Sequence, residues 1–600
     1  MEDFLFYPRG SKLKSPLPFL FSFYIFFVFP ILFTFFYFVN LQVFHKKEAE
    51  EIKKNINYLT IFNYSQRGDI YDSFNNLFVT SEKSYDVYLN LDDFENKELI
   101  EKLVSKSNLY FYWGNEVIIR NLSLKDISDL VLKKEKYPHL FIIPSYKRKY
   151  LVKEEMGNLI GNLGLGDEKN FLRGEFVGQT GIEYFYNDYL RGRPGKIVYL
   201  KEKNNYKEIF KENDLRGNDL YLTIDWELQK RVYEAMDKYF KENGYKKGAL
   251  VMLDPNSGKI LTLISYPSYD PDVFVNKRIK IKEVLIDPYQ PLFNRVISGL
   301  YSPGSTIKLI MAAAALEEKI VTPETKIFAA GSIKIPHPYF PGIYSVFKDN
   351  KFHGWTDIYK AIYDSVNIYF YVIGGGYPYP SDEIPIKDGL GIERIIKYWK
   401  KFNLGEKSGI DLPGEKSGFL PSPETKKNTL DPIWRLGDTY NVSIGQGDLL
   451  VTPLQIALWT SAFVNNKIYK PYIVEKIVSP ENKIIFENRP QVLKENIMSS
   501  STLNVIKEAM RLTTIKGTAK ILAEAPLEIA GKSGSPQIFG KEKLNAIFTG
   551  FFPYKKPEVV MTLLIEEVPY GSVATLPLYK EIVNIYYNLK LERENGRNPF

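Results

Sequence analysis

Tyr301-Ser302-Pro303-Gly304-Ser305-Thr306-Ile307-Lys308, continuing as Leu309-Ile310-Met311-Ala312-Ala313-Ala314-Ala315-Leu316, is the stretch that decides how this chain folds around its chemistry. A Pro-Gly pair breaks the backbone, and the run free of Gly and Pro that follows predicts a helix. Three residues apart, Ser305 and Lys308 share one face of it. Ser305 falls in the first turn, where unpaired N–H groups and the positive dipole end favour developing negative charge. A hydroxyl becomes a useful nucleophile near neutral pH only with a base in reach. Lys308 is that base if its apolar surroundings lower its pKa. The same spacing recurs at Ser11/Lys14 and Ser345/Lys348, so the rest of the chain has to decide.

Two further stretches bear on it. Ser365-Val366-Asn367 lies between Ile362-Tyr363 and Ile368-Tyr369-Phe370, on a turn between helices that points a hydroxyl and an amide into one cleft. Its spacing alone is common, as at Ser73/Asn75. Lys532-Ser533-Gly534-Ser535 continues the strand-like Leu527-Glu528-Ile529-Ala530-Gly531, whereas Lys407-Ser408-Gly409 and Lys416-Ser417-Gly418 lie in turn sequence. On a strand, Lys532 and Gly534 face one way and Ser533 and Ser535 the other. Gly534 lets a substrate or another backbone approach closely.

Six hundred residues suggest several units. The net charge of +8, from 79 basic and 71 acidic residues, is not clustered, so no nucleic-acid partner is expected. The chain has no cysteine, which excludes disulfides, thiolate catalysis and Cys-ligated zinc, and its four histidines leave little room for a His-based metal site. Residues 1–16 form a polar tail. From Leu17 to Val43 there are 27 residues without charge, more than the ~20 that span a bilayer. With no small-x-small cleavage pattern after it, this reads as an uncleaved anchor. Lysines flank both sides, so charge does not orient it.

Residues 46–60 read as an amphipathic helix and Tyr85–Leu89 as a strand. Leu220–Asp225 reads as a strand entering a helix over 226–240. Gly248–Asp254 and Gly258–Ile264 form a hairpin, further strands lie at Asn545–Phe551 and Val559–Glu566, and a helix over 578–591 closes the chain. The fold class is α+β, an antiparallel sheet with helices on its faces. The divisions are a tail at 1–16, the anchor at 17–43, a smaller unit at 44–216, the serine-bearing unit at 217–591 and a tail at 592–600.

Ser-x-x-Lys, Ser-x-Asn and Lys-Ser-Gly in this order are the marks of the penicillin-recognising serine acyltransferases. Together with Ser443-Ile444-Gly445-Gln446-Gly447, Arg67-Gly68-x-Ile70-x-Asp72 and Gly181-Ile182-Glu183, they make the chain resemble the class B penicillin-binding proteins. Such proteins carry a membrane anchor, a pedestal (dimerisation-like) domain and a transpeptidase domain. Trp434-x-x-Gly437-Asp438-Thr439-x-Asn441 is similar to the elongation type, with the division type as the nearer alternative within the family.

The resemblance implies a peptidoglycan D,D-transpeptidase of cell elongation. Ser305 would attack the bond between the two terminal D-alanines of a stem peptide, with Lys308 as general base. Ser365 and Asn367 would relay a proton and hold the substrate amide, while Lys532, Ser533, Gly534 and Ser535 would bind the substrate strand and its carboxylate. The N–H groups of Ser305 and Ser535 would form the oxyanion hole. Two lysines converging on one serine disfavour each other's protonation, leaving Lys308 neutral, with Lys532 charged where it faces a carboxylate. A β-lactam would acylate Ser305.

No cofactor is implied. Some elongation-type relatives hold a zinc with Asp, His and Cys, and His353-Gly354 resembles part of that region, but without cysteine no metal is expected. Implied partners are peptidoglycan stem peptides, a membrane glycosyltransferase and elongation-complex proteins. The implied location is the cytoplasmic membrane, with the catalytic domain on its outer side. Serine where the third motif usually has threonine implies looser rotamers. Pro536, where alanine is usual, removes an N–H and puts substrate pairing at that edge in question. A D,D-carboxypeptidase, or a scaffold that activates a glycosyltransferase, are the other readings.

Overall fold

The computed structural model describes residues 32–37, 58–90 and 97–596, apart from 108, 114–115, 133, 138, 168, 173, 203–204, 276–279, 337–339, 341 and 539. The expected tail at 1–16 and most of the expected anchor at 17–43 lie outside the described residues. Residues 32–37 of that stretch are helical and exposed. Among the described residues no helix is long and apolar enough to cross a membrane.

Five antiparallel strands, in the order Ile260–Tyr266, Gly248–Leu253, Val559–Val568, Leu544–Phe552 and Ala530–Gly534, make the sheet that carries the site. Its strands are apolar almost without interruption because both faces are covered. Alternate residues divide between two cores. Leu250, Met252, Ile264, Phe548, Met561 and Leu563 pack under the helices Trp226–Asn243 and Leu576–Glu594. Ala249, Val251, Leu253, Ile547, Val560 and Leu564 pack with the helices Lys308–Glu317, Asn367–Gly375 and Pro453–Asn465. Each fully buried Leu, Ile or Met contributes about 1.5–3 kcal/mol.

The 453–465 helix starts sharply. Thr452 Oγ1 accepts the Gln455 N–H at 3.1 Å while Gln455 Oε1 accepts the Thr452 N–H at 2.9 Å, and Pro453 fills the first position. The C-terminal helix runs past the expected 578–591 through Glu594, so residues 592–594 are not part of a loose tail. The reason is anchorage: Arg593 grips Asp225, and Glu592 pairs with Arg231 at 3.0 Å.

The N-terminal unit contains a three-stranded sheet, Tyr58–Asn63 beside Gly195–Glu202 beside Asn205–Glu212. Residues 58–60, expected in a helix, therefore lie in a strand. Tyr58-Leu59-Thr60-Ile61-Phe62 is rich in aromatic and β-branched residues, and a waiting edge decides between the two periods. The rest of the expected 46–60 helix lies outside the described residues.

An eight-stranded sheet is built on Leu77–Asn90. It runs through Ile70–Tyr71 and Asp219–Leu222 into Val474–Val478 and Ile484–Glu487. It therefore crosses the division expected at 216/217. Buried Glu183 sits between Arg67 at 2.6 Å and Arg148 at 2.8 Å, tying the 67–72 and 181–183 stretches together. Buried Asp411 accepts the Tyr186 hydroxyl at 2.9 Å and the N–H groups of Ile473 and Val474 at 2.7 and 2.8 Å, joining the two units.

Candidate active site

Ser305 lies in a 3-10 turn, Gly304–Ile307, that feeds the helix Lys308–Glu317. The turn forms because Gly304 takes φ 53°, and it is pinned by Gly304 N–H donating to Gly445 O at 2.9 Å. A Cβ on Gly445 would stand 2.1 Å from Gly304 O, which explains the glycine in Ser443-Ile444-Gly445. Ser305 is half-buried, and among the described residues its Oγ makes no hydrogen bond.

Lys308 is fully buried, and its amine is turned to the second motif. Nζ donates to Asn367 Oδ1 at 2.6 Å and to Ser365 O at 2.8 Å, and lies 3.4 Å from Ser365 Oγ. Ser365-Val366-Asn367 is the expected turn, between the helices Ile358–Tyr363 and Asn367–Gly375, with Ser365 at φ 59°. From the other side Lys532, also fully buried, donates to Ser365 Oγ at 3.0 Å and to Ser533 O at 3.0 Å. Ser365 Oγ thus stands between the two lysine amines.

Burial pushes Lys308 down from 10.5 to about 7, against a smaller upward pull from Asp349. Burial, and then the Lys308 charge, push Lys532 well below its ordinary value. In the resting site, with no carboxylate before it, Lys532 is desolvated and faces a second amine, both of which favour its neutral form.

Lys532-Ser533-Gly534 forms the sheet-edge strand Ala530–Gly534. A Cβ on Gly534 would meet Pro303 O at 3.0 Å, so the glycine lets this strand close on the serine turn. Ser533 is buried, and its hydroxyl meets Thr518 Oγ1 at 2.8 Å, which fixes the rotamer expected to be loose. Ser535 is exposed and its Oγ accepts the Ser572 N–H at 2.7 Å. Pro536 O accepts the Asn545 N–H at 3.0 Å. In an antiparallel pair, N–H and C=O of one residue point to the same side. The missing N–H of Pro536 therefore faces the neighbouring strand.

The decoys separate. Ser345 and Lys348 lie on the strand Tyr344–Lys348, Ser408 and Gly409 are bonded to Glu415, and Ser11 and Lys14 lie outside the described residues. Residues not singled out from the sequence also build the site: Asp349, Thr518, and Tyr301, whose hydroxyl donates to Glu566 at 2.8 Å just ahead of the serine turn. Tyr301 was within the quoted stretch, and Lys516-Gly517-Thr518 carries a turn signal. Asp349 had no local signal.

The residues near His353 do not fit a metal. Its Nε2 and Nδ1 face different carboxylates, Asp349 at 3.6 Å and Asp364 at 3.9 Å, instead of converging donors on one point. Among the described residues no three His, Cys, Asp or Glu groups could hold a metal ion.

Residues 248–584 match the model of the penicillin binding protein transpeptidase domain, and residues 62–222 that of the penicillin-binding protein dimerisation domain. The chain is 32% identical over 521 residues to peptidoglycan D,D-transpeptidase MrdA of Haemophilus influenzae, covering 80% of this chain and 75% of that one. It is 29% identical over 494 residues to the protein of that name from Escherichia coli K12, covering 76% and 74%. The solved complex between penicillin-binding protein PBP2 and MreC from Helicobacter pylori superposes with a TM-score of 0.71 at 26% identity, over 89% of this chain and 99% of that one. With the serine, the two buried lysines and the edge strand assembled on this fold, the chain belongs to the penicillin-binding protein transpeptidase family.

Proposed function

We propose that this protein is a peptidoglycan D,D-transpeptidase of the elongation machinery. The observation that carries the proposal is Ser365 Oγ, 3.0 Å from Lys532 Nζ and 3.4 Å from Nζ of Lys308, the lysine of the serine motif. Neutral Lys308 takes the Ser305 proton as Oγ attacks the carbonyl between the two terminal D-alanines. The N–H groups of Ser305 and Ser535 receive the oxyanion, a contribution of about 2.7–4 kcal/mol per donor in hydrolases. The proton passes through Ser365 to the departing D-alanine nitrogen as the C–N bond breaks. An amine of a second stem peptide then attacks the ester and gives up its proton to Lys308, which returns it to Ser305 Oγ as the acyl C–O bond breaks.

Asn367 holds the substrate amide, and Ser533, on the strand with Lys532 and Gly534, and Ser535, just beyond it, exchange their contacts with Thr518 Oγ1 and the Ser572 N–H to hold the terminal carboxylate. An entering carboxylate supplies the charge that favours protonated Lys532. A β-lactam acylates Ser305 as a substrate mimic. In the same reading the units are a tail at 1–16, a single membrane anchor at 17–43, the pedestal at 44–216 and the transpeptidase domain at 217–591. The catalytic side lies outside the cytoplasmic membrane. The Helicobacter pylori complex with MreC supports elongation-complex partners, and a membrane glycosyltransferase supplies the glycan to be cross-linked.

The test is to incubate the purified protein with a pentapeptide-bearing donor and an amine acceptor, and to resolve the products by mass spectrometry. Cross-linked dimer with loss of one D-alanine is expected. Trimmed tetrapeptide alone would make the protein a carboxypeptidase. Neither product, with cells carrying Ser305→Ala growing at normal shape, would leave the scaffold reading.

A further inference from the structure

The loop between the strands Tyr344–Lys348 and Gly354–Thr356 lies against the Ser365 turn, and the chemistry above makes no use of it. The side chain of His353 is 1% exposed and stands between Asp349 Oδ1, 3.6 Å from Nε2, and Asp364 Oδ2, 3.9 Å from Nδ1. Nε2 also donates to Asn350 Oδ1 at 2.9 Å. The two carboxylates flank the turn. Asp364 immediately precedes Ser365, and Asp349 Oδ2 accepts the Ile368 N–H at 3.0 Å, one residue beyond Asn367. Lys360, on the helix that leads into the turn, closes the frame by donating to His353 O at 2.6 Å and Trp355 O at 3.3 Å.

The turn needs such a frame. Ser365 has φ 59°, a left-handed conformation that costs a residue with a Cβ about 1–2 kcal/mol and persists only where the surroundings hold it. Its strain is useful, because this turn sets Ser365 Oγ between two amines and Asn367 Oδ1 2.6 Å from Lys308 Nζ. We infer that His353, hydrogen-bonded through Nε2 to Asn350 and packed between Asp349 and Asp364, with Lys360 holding its backbone carbonyl, is a positioning residue for the second motif, and that this brace is built from protein side chains in place of a metal. The inference rests on the acyl-transfer reading of the site. Removing the imidazole frees the turn to relax, and Ser365 Oγ leaves the pair of amines. Recognition of the substrate by the Ala530–Gly534 strand does not pass through the brace. The loss therefore falls chiefly on the acylation step, and binding weakens only through the Asn367 contact.

The experiment uses the purified full chain and a chromogenic cephalosporin in stopped flow, which separates the binding constant from the acylation rate constant. Zinc content is measured by elemental analysis before and after incubation with zinc. His353→Ala is expected to slow acylation about 10–100-fold, the scale of a small misplacement, with the binding constant weakened by about threefold at most. His353→Gln keeps an N–H donor for Asn350 and a folded loop, and is expected to recover most of the rate. The wild type is expected to hold no stoichiometric zinc and to be indifferent to chelator. Stoichiometric zinc whose removal slows acylation would overturn the inference. So would wild-type acylation by His353→Ala, or equal losses of binding and rate with no recovery in His353→Gln. Acylation of the wild type tests the proposed function alone, and the ratio of variant to wild type tests the brace.

Discussion

Raising the pH from about 6 to about 8 should carry the acylation rate through most of its range. An ordinary lysine with a pKa of 10.5 is neutral in about one molecule in 3,000 at pH 7. Burial brings Lys308 to about 7, so about half of the enzyme then carries the free amine. The neutral fraction is about a tenth one unit lower and about nine-tenths one unit higher, and the rate follows it with a plateau on the alkaline side. Because Lys308 and Lys532 both reach Ser365, the inflection belongs to the pair.

Asp349 gives the profile a handle. Its charge pulls Lys308 upward, and Asp349→Asn removes that charge while keeping an oxygen to accept the Ile368 N–H. The inflection should move to lower pH. The stability consequence has the same origin. The folded pKa of Lys308 lies below the unfolded one, so the unfolded chain binds more protons between about 7 and 10.5. Stability therefore rises with pH across that window and is lost as pH falls through 7, by at most about 5 kcal/mol. The assay is the second-order rate of labelling with a fluorescent penicillin across pH, alongside urea unfolding at the same pH values. A rate that is flat from about 6 to 8, or an inflection that climbs in Asp349→Asn, would refute the reasoning.

Three structural changes have their own signatures. Gly304→Ala would force a left-handed φ on alanine and set its Cβ 2.9 Å from Pro536 Cδ and 3.1 Å from Pro536 N. It should cost about 1–3 kcal/mol in urea unfolding and slow penicillin labelling, with partial recovery when Pro536→Ala is added. Tyr186→Phe removes the hydroxyl that donates to Asp411 but leaves that carboxylate its two backbone donors. A drop of about 1–2 kcal/mol by thermal unfolding, with acylation intact, is expected. Arg67→Ala leaves the Glu183 carboxylate buried with Arg148 alone, and should cost about 3–5 kcal/mol by chemical denaturation. Burial raises Glu183, but Arg148 and Arg67 outweigh it and hold its pKa low. In the wild type that stabilisation is present above the ordinary carboxylate pKa and is lost as pH falls through the lowered one.

The three motifs were legible because acyl transfer fixes residue type at short spacing. A helix start, a turn and a strand are local enough to be read around Ser305, Ser365 and Lys532. The strands of the central sheet were legible because burial on both faces leaves apolar runs such as Val559–Val568. What the sequence did not disclose was set by partners far along the chain. The amine of Lys308 rests on Asn367 and not on Ser305, a choice made by the left-handed backbone at Ser365. Ser535 turns to the Ser572 N–H, and Ser533 is fixed by Thr518. For Pro536, the pairing with Asn545 gives the side on which the N–H is missing.

Two features of the fold are set by pairing between distant segments. Tyr58–Asn63 has a sequence compatible with either a helix face or a strand, and the edge offered by Gly195–Glu202 decided it. The division at 216/217 follows a turn in sequence, yet Asp219–Leu222 pairs with Ile70–Tyr71 on one side and Val474–Val478 on the other, a join that no local signal announces.

The central claim is that Ser305 forms the acyl-enzyme. Intact-mass and peptide-level mass spectrometry of the protein treated with benzylpenicillin measures it directly. The account predicts one adduct on the wild type, on the peptide that contains Ser305, and none on Ser305→Ala. An unmodified wild type, or an adduct that persists in Ser305→Ala or maps to Ser365 or Ser533, would contradict it.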